Sequence, residues 1–370
     1  MFAELGAAGW VAASIPALMW VGLLLVPWRP WGTREHLEAD PRAASAADLG
    51  EITVLIPARN EADVIGATLA ALQGLQVVVI DDQSSDATVR IAASYPHTRI
   101  ISGAPLPDGW AGKLWALEQG LAHVNTALTL LLDADIQLQP GLLGTLLAHK
   151  QREGLQFVSL MADLRRTSFW DRLLLPVFVY YFKLLYPFSL SNSRSRLVAA
   201  AAGGCVLADT QALRHVGAFA SLRDALIDDC TLARQIKNAG YDTWLGLSRD
   251  VVSLRPYGSL GSIHDMVARS AFTQLGYSAL LLMVVSAVFA LAYGIPFVLL
   301  GSAQAWPLGL VAWAAMTLSY LPVLRYYRMS RLWALLLPLS AVLYLGMTWS
   351  SALRYWRGIR SRWKGRTYGT

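Results

Sequence analysis

Beyond Asp265 the chain has no acidic residue, although 105 residues remain and ten of them are Arg or Lys. Charge is scarce throughout: Asp, Glu, Lys and Arg make up 15% of the 370 residues, against about a quarter in a soluble domain. The formal +6 belongs to the C-terminal stretch, because residues 1–265 carry 21 basic and 25 acidic side chains. A basic nucleic-acid-binding core is therefore excluded as the default, and no nucleic-acid partner is expected. Cysteine is nearly absent. Cys205 and Cys230 form no disulfide framework and no C-x-x-C pair, which suits a reducing compartment. Six scattered His lack zinc-ligand spacing. No two glycines are separated by a single residue, so the dinucleotide-binding G-x-G-x-x-G is missing. The P-loop and the G-x-S-x-G nucleophile elbow are missing too.

What the chain has in quantity is long apolar runs. Residues 5–26 are long enough to span a hydrocarbon core. Glu4 precedes this run and Arg29 and Arg34 follow it, a pattern unlike a signal peptide. Positive-inside bias then places residues after Trp28 in the cytoplasm. Three more runs, 278–300, 306–324 and 332–353, have Trp and Tyr at their edges. Three Arg between 325 and 331 favour a return to the cytoplasm after two passes, but a third pass would export the basic tail. The last run, interrupted by Pro338, is either re-entrant or an exception to the rule. The expected organisation is an anchor at 1–28, a linker at 29–50, an α/β domain at 51–255 and an interfacial segment at 256–277. Membrane segments follow at 278–353 and a basic tail at 354–370. The expected site is the inner (cytoplasmic) membrane, multi-pass, with the α/β domain facing the cytoplasm; the oligomeric state is not readable.

In the middle, short β-branched or Leu-rich runs (52–57, 76–81, 98–102, 128–133) alternate with helical stretches (61–72, 85–94, 112–123). Near-continuous apolar strands separated by helices predict a parallel sheet covered on both faces. Ligands of such sheets bind outside the carboxyl ends of the strands. Acidic residues stand there: Glu61 after the first run, Asp81 and Asp82 after the second, Asp133 and Asp135 after the fourth. Two carboxylates flanking one residue can hold Mg2+ or Mn2+ while leaving positions for substrate phosphate oxygens, and such an ion would neutralise a departing diphosphate.

Ile-Pro-Ala-Arg-Asn-Glu, Val-Ile-Asp-Asp-Gln-Ser-Ser-Asp, Leu-Asp-Ala-Asp and Ile-Asp-Asp-Cys-Thr-Leu-Ala-Arg, in that order, resemble family 2 glycosyltransferases of the GT-A fold over about residues 51–275. Gly109-Trp110-Ala111-Gly112-Lys113, followed by Trp115-Ala116, resembles the bacterial hopene-associated members. The resemblance implies a Rossmann-like GT-A domain with one N-terminal and two to three C-terminal transmembrane helices. It implies a membrane-bound inverting enzyme that moves a sugar from a nucleotide-sugar donor, a UDP-sugar, to a hydroxyl of a lipid acceptor linked to hopanoids. By the same resemblance Ala58, Arg59, Glu61 and Asp82 hold the nucleotide, and Lys113 contacts donor phosphate or sugar. Asp133 and Asp135 hold the metal and donor, Asp229 is the catalytic base, and Asp228 positions its loop. Gly203 and Gly204 form an acceptor-side loop.

Each residue also has a plainer reading. Asp82 could cap a helix through Ser84 or Ser85, and Asp133 and Asp135 could shape a turn. Asp228 and Asp229 suit a helix N-terminus, Gly203 and Gly204 suit tight packing, and Lys113 could be solvated. Many relatives have Asn where Glu118 stands. Arg269 falls in a Q-x-x-R-W motif whose Gln and Trp are replaced by Met266 and Ser270. Its role is therefore split between phosphate contact and membrane surface, and a processive polymerase is disfavoured. Residues 169–190 read either as an interfacial amphipathic helix or as a core helix or lid. Two other classes share parts of this pattern. A GT-A-like nucleotidyltransferase would need a glycine-rich loop where Pro-Ala-Arg-Asn-Glu stands, and a membrane scaffold with a degenerate transferase domain would be expected to lose Asp135 or Asp229.

Overall fold

The computed structural model describes residues 6–40, 42, 48–223, 228–359, 362–363 and 366–367. Parts of the 1–28 anchor, the 29–50 linker and the 354–370 tail lie outside these residues. The chain divides into two compact units: one comprises 1–34, 166–189 and 257–359, the other 35–165, 190–256 and 360–370.

The second unit is built on an eight-stranded sheet. Its strands are β1 (Ile52–Ala58), β2 (Gln76–Asp81), β3 (Thr98–Ser102), β4 (Leu128–Leu132), β5 (Ile136–Leu138), β6 (Phe157–Leu164), β7 (Cys205–Asp209) and β8 (Thr243–Ser253). The spatial order is β3-β2-β1-β4-β7-β6-β8-β5. β1 through β4 are mutually parallel, as the apolar runs predict. The all-parallel expectation fails further along, because β7 is antiparallel to both β4 and β6, and β5 is antiparallel to β8. β5 follows β4 after three residues with no crossover helix, so it cannot join the parallel set; three residues long, it pairs with β8 across more than a hundred residues of chain. The fold class is α/β, with a mixed Rossmann-like sheet.

All seven residues of β1 are buried, so the strand lies at the centre with both faces covered. Ile52, Val54, Ile56 and Ala58 join one apolar cluster, and Leu55 joins the other. This is the two-residue alternation of a pleated strand. Helices Ile65–Ala70 and Leu142–Glu153 supply the first cluster, and helices Gly112–Leu121 and Asp228–Asn238 the second. Because β1, β2 and β4 run the same way, their carboxyl ends share one edge. The reversal of β7 brings its first residue, Cys205, opposite Leu132 at that same edge.

The first unit holds, among the described residues, four helices long and apolar enough to cross a membrane: Ala7–Leu25, Ala279–Leu300, Trp306–Tyr326 and Arg331–Trp356. The chain is a membrane protein. Helix Phe169–Leu185 belongs to the same unit and is held by polar contacts along its length. The Tyr180 hydroxyl meets Ser319 Oγ at 2.7 Å, and Tyr344 and Ser340 donate to the carbonyls of Leu174 and Leu173. Its first turn closes with a capping box between Ser168 and Asp171, an arrangement worth about 1 kcal/mol. The other Asp171 oxygen accepts from the Gly258 amide at 3.0 Å.

Candidate active site

The site begins with two loops that lock together beyond β1 and β2. The Ala58 carbonyl accepts the Asp82 amide at 2.8 Å. Arg59 reaches across to the Asp82 and Gln83 carbonyls, its guanidinium 3.8 Å from the Asp82 carboxylate. Ser85 N donates to Asn60 Oδ1 at 2.8 Å, and Asn60 N donates to Ser84 Oγ at 3.1 Å. Asn60 (φ 51°) and Gln83 (φ 57°) are both left-handed, a conformation Asn tolerates better than Gln. Glu61 is buried and its amide donates to Thr88 Oγ1. The Ser84 amide is taken by Asp81 and the Ser85 amide by Asn60, so Asp82 caps neither. Its buried carboxylate stands at the strand end beside Arg59.

The second component follows β4. Asp133 N donates to the Gly204 carbonyl at 3.0 Å, tying this strand end to the start of β7. Its carboxylate meets Lys113 Nζ at 2.6 Å, with Lys113 rising from the first turn of helix Gly112–Leu121. Asp135 points elsewhere. It is buried, accepts from Arg255 Nε at 3.0 Å, and has Ser253 Oγ at 3.5 Å. Arg255 also reaches Glu61 at 3.5 Å, linking the ends of β1, β4 and β8. Sequence reasoning missed Arg255. The available signal was a cation two residues past the end of an eleven-residue strand, and that strand was not read.

The third component is the start of helix Asp228–Asn238. Asp229 Oδ2 accepts the Gly203 amide at 2.9 Å, and Oδ1 accepts the Cys230 amide at 2.8 Å. A Cβ at Gly203 would lie 3.1 Å from Asp229 Cβ, so glycine lets the backbone approach the carboxylate closely. Lys113 Nζ lies 3.5 Å from the Gly203 carbonyl, and Lys113, Gly203, Asp228 and Asp229 line one pocket. Glu118 Oε2 accepts from the amides of Phe219 and Ala220 at 3.1 and 3.0 Å, fixing the loop that places Phe219 in the pocket wall.

Charge is unevenly matched here. Burial, then the charge of Asp228, pushes the Asp229 carboxyl up to about 6. Burial also raises Asp133, and Asp135 adds to this against the pull of Lys113. Burial opposes the Lys113 charge, but Asp133 and Asp228 hold its ammonium well above the ordinary lysine range. Among the described residues, Asp133, Asp228 and Asp229 act on Lys113, while Asp135 and Glu61 share Arg255. Among the described residues no group of three His, Cys, Asp or Glu could hold a metal ion. Of the residues present, Asp133 and Asp135 are the pair that could hold Mg2+, which commonly takes one or two carboxylates and completes its shell with phosphate oxygens and water, although in this structure their carboxylates meet different cations, Lys113 and Arg255. Of the sequence-derived residues, Ala58, Arg59, Glu61, Asp82, Lys113, Asp133, Asp135, Gly203, Gly204, Asp228 and Asp229 all belong to this unit. Arg269 belongs to the other, where its amide donates to the Asp265 carbonyl.

Comparison with known proteins gives this geometry a family. The chain is 37% identical over 109 residues to the 4,4'-diaponeurosporenoate glycosyltransferase of Staphylococcus aureus (strain USA300), covering 28% of this chain and 29% of the relative. The chain thus matches under a third of that curated relative's length. Among solved structures it is similar to glucosyl-3-phosphoglycerate synthase from Mycobacterium tuberculosis in complex with Mn2+ and UDP-glucose. That alignment has 18% identity and a TM-score of 0.41, over 66% of this chain and 88% of that one. It is also similar to S. aureus TarS in complex with UDP-GlcNAc (12% identity, TM-score 0.37, 84% and 93% coverage). Residues 53–217 match Glycosyl transferase family 2. That segment belongs to the family, and the chain carries a glycosyltransferase domain.

Proposed function

We propose that the protein is a membrane-bound, inverting glycosyltransferase that moves a sugar from a UDP-sugar to a lipid hydroxyl. The observation that carries this reading is the convergence at one sheet edge of a half-buried carboxylate with a raised proton affinity, Asp229, and a carboxylate–ammonium pair, Asp133–Lys113. A free alcohol is too weak an acid to ionise beforehand, so its proton passes to Asp229 as the oxygen attacks the anomeric carbon. The bond to the diphosphate breaks on the opposite face. The amides of Gly203 and Cys230 hold the Asp229 carboxylate in one orientation, and the charge of Asp228 raises its basicity. Asp82 and the interlocked loops around Arg59 and Glu61 seat the nucleotide. Asp133 and Asp135 would hold Mg2+ or Mn2+, which would supply neutralising charge toward a departing diphosphate. Lys113 contributes a fixed positive charge on the same side.

The lipid acceptor is supported by the apolar helices of the chain and by the relative named for diaponeurosporenoate. Hopanoid lipids are the acceptor class favoured by the Gly109–Ala116 motif, and the domain is proposed to face the cytoplasm at the inner membrane. The test is to incubate purified protein with a panel of nucleotide sugars and a bacterial lipid extract, reading products by mass spectrometry. A lipid heavier by one sugar residue, formed only with a uridine donor, is the expected result. A nucleotidylated product would support a nucleotidyltransferase, and no product with any donor would support the scaffold reading.

Two further outcomes are expected. The base must be ionised, so kcat/KM should fall below about pH 6 with a limiting slope of one in a pH–rate profile. Stability has the opposite sign. The folded-state value lies above that of an unfolded Asp, about 3.9, so this group contributes stability fully below about pH 4. That contribution is lost as pH rises through about 6. Gly203→Ala should shift Asp229 and lower kcat by about tenfold to a hundredfold, the scale of a misplacement approaching 1 Å. Thermal unfolding should move by only a few degrees, separating misplacement from misfolding.

A further inference from the structure

Residues 190–204 return the chain to the sheet unit and contain a projecting loop that the reaction does not use. Both of its ends are pinned. The buried Lys237 ammonium donates to the carbonyls of Ser191 (2.6 Å) and Val198 (2.8 Å). Ser191 Oγ accepts the Ala200 amide, and the Asn192 side chain exchanges two hydrogen bonds with the Leu245 backbone at 2.9 and 2.8 Å. Between these pins, Ser193 and Ser195 turn the backbone through side-chain-to-amide bonds. The tip is Arg194, Ser195, Arg196 and Leu197, all exposed. Leu197 is 89% exposed, the most of any large apolar side chain among the described residues. The Arg194 side chain is 93% exposed, and its 3.9 Å approach to Asp242 is a solvated contact worth little.

A rigidly based loop that holds a leucine out in water beside two arginines matches a bilayer interface: an apolar side chain for the headgroup–acyl boundary, and cations for phosphates. The chain's own connectivity supplies the encounter. Ser189, the last residue of the unit with the membrane helices, donates to the Trp28 carbonyl at 2.7 Å. Trp28 lies three residues past the end of helix Ala7–Leu25, where an interfacial Trp is expected. Leu197 follows Ser189 by eight residues, so the tip is tethered near a bilayer at high effective concentration.

We propose that loop 193–197 is a bilayer-docking finger, with Leu197 entering the interfacial layer and Arg194 and Arg196 taking anionic phosphate headgroups. The proposal rests on the membrane-bound reading of the chain but not on its chemistry. It also gives the Lys237 ammonium a purpose, since that group braces both ends of the finger. The segment continues from the finger to Gly203, whose amide orients Asp229, so docking and the catalytic base share one stretch of backbone.

The test uses full-length protein in lipid nanodiscs. Cys205 and Cys230 are free and buried, so a bimane fluorophore on Leu197→Cys reports from the tip. Discs are prepared with phosphatidylglycerol or with phosphatidylcholine alone, each containing acyl-chain-quencher lipids. Gln73→Cys, exposed between helix Ile65–Ala70 and β2, serves as control. The expected result is quenching at 197 but not at 73, at least about twofold stronger in anionic discs and lost in Arg194→Gln/Arg196→Gln. Absence of quenching at 197 in anionic discs, or equal quenching at 73, would overturn the finger. Equal quenching at 197 in both lipids would overturn the assignment of the arginines to anionic headgroups. The readout needs no turnover, so its failure would leave sugar transfer standing, and inactive protein that still quenches would leave the finger standing.

Discussion

Asp229→Asn is expected to lower kcat by about a thousandfold, within the usual range for loss of a general base, while leaving UDP-sugar affinity within about twofold. Two backbone amides converge on the two Asp229 oxygens. An Asn carboxamide can accept from only one of them, because its NH2 group faces the other donor. The variant therefore loses both the basic lone pair and part of the orientation. The expected signature is a fall in kcat and kcat/KM together, which marks an interaction made in the transition state. Asp228→Asn distinguishes the neighbours: it should retain most of the activity and move the acid limb of the pH–rate profile to lower pH, because the Asp228 charge helps to raise Asp229. Titrating UDP-sugar binding by calorimetry alongside steady-state kinetics separates the two effects. Unchanged turnover in Asp229→Asn would remove the base from this position.

Asp133→Ala is expected to cost at least about a hundredfold in kcat/KM, the scale of removing a group that stabilises developing charge. The loss has two parts. A divalent cation held there would lose a ligand, and the Lys113 ammonium loses the carboxylate 2.6 Å away that fixes its position. UDP affinity measured with and without Mg2+ resolves them. In the unaltered protein Mg2+ should tighten UDP; in Asp133→Ala most of that gain should vanish. Asp135→Ala should also weaken the Mg2+ effect and, in addition, release Arg255 from its 3.0 Å ion pair. Equal tightening by Mg2+ in all three proteins would place the cation elsewhere.

Much of this site was legible because it is written locally. Each of the first strands is a short, nearly unbroken apolar run, and its terminal acid stands within a few residues of the run's end. Asp82, Asp133 and Asp135 could be located by reading forward along the chain. Asp229 was visible for a different reason: two adjacent acids opening a helix form a pattern that survives without knowledge of the sheet. The missing parts depend on register. Arg255 meets Asp135 only because β5 and β8 pair with Ile136 opposite Ser253, and nothing within ten residues of either side chain announces that pairing. Glu118 stood out only as an unusual residue; its task of holding the Phe219 and Ala220 amides appears once helix Gly112–Leu121 is set beside that loop. The antiparallel β7 was hidden because a five-residue strand after a run of alanines has no signature of direction. Residues 166–189 cluster with the apolar helices although Asp171, Arg172 and Lys183 interrupt their hydrophobicity. The burial of Asp171 and Lys183 is affordable because the first is satisfied by a capping box and the Gly258 amide, and the second lies over the Phe188 ring.

The most direct measurement is the stoichiometry of UDP released to glycosylated lipid formed, by purified protein with Mg2+ and with excess chelator. One UDP per glycolipid with Mg2+, neither product with chelator, and neither from Asp229→Asn is the predicted result. Glycolipid formed equally well by Asp229→Asn, or UDP release with no sugar on lipid in any acceptor mixture, would contradict the assignment of this sheet edge to lipid glycosylation.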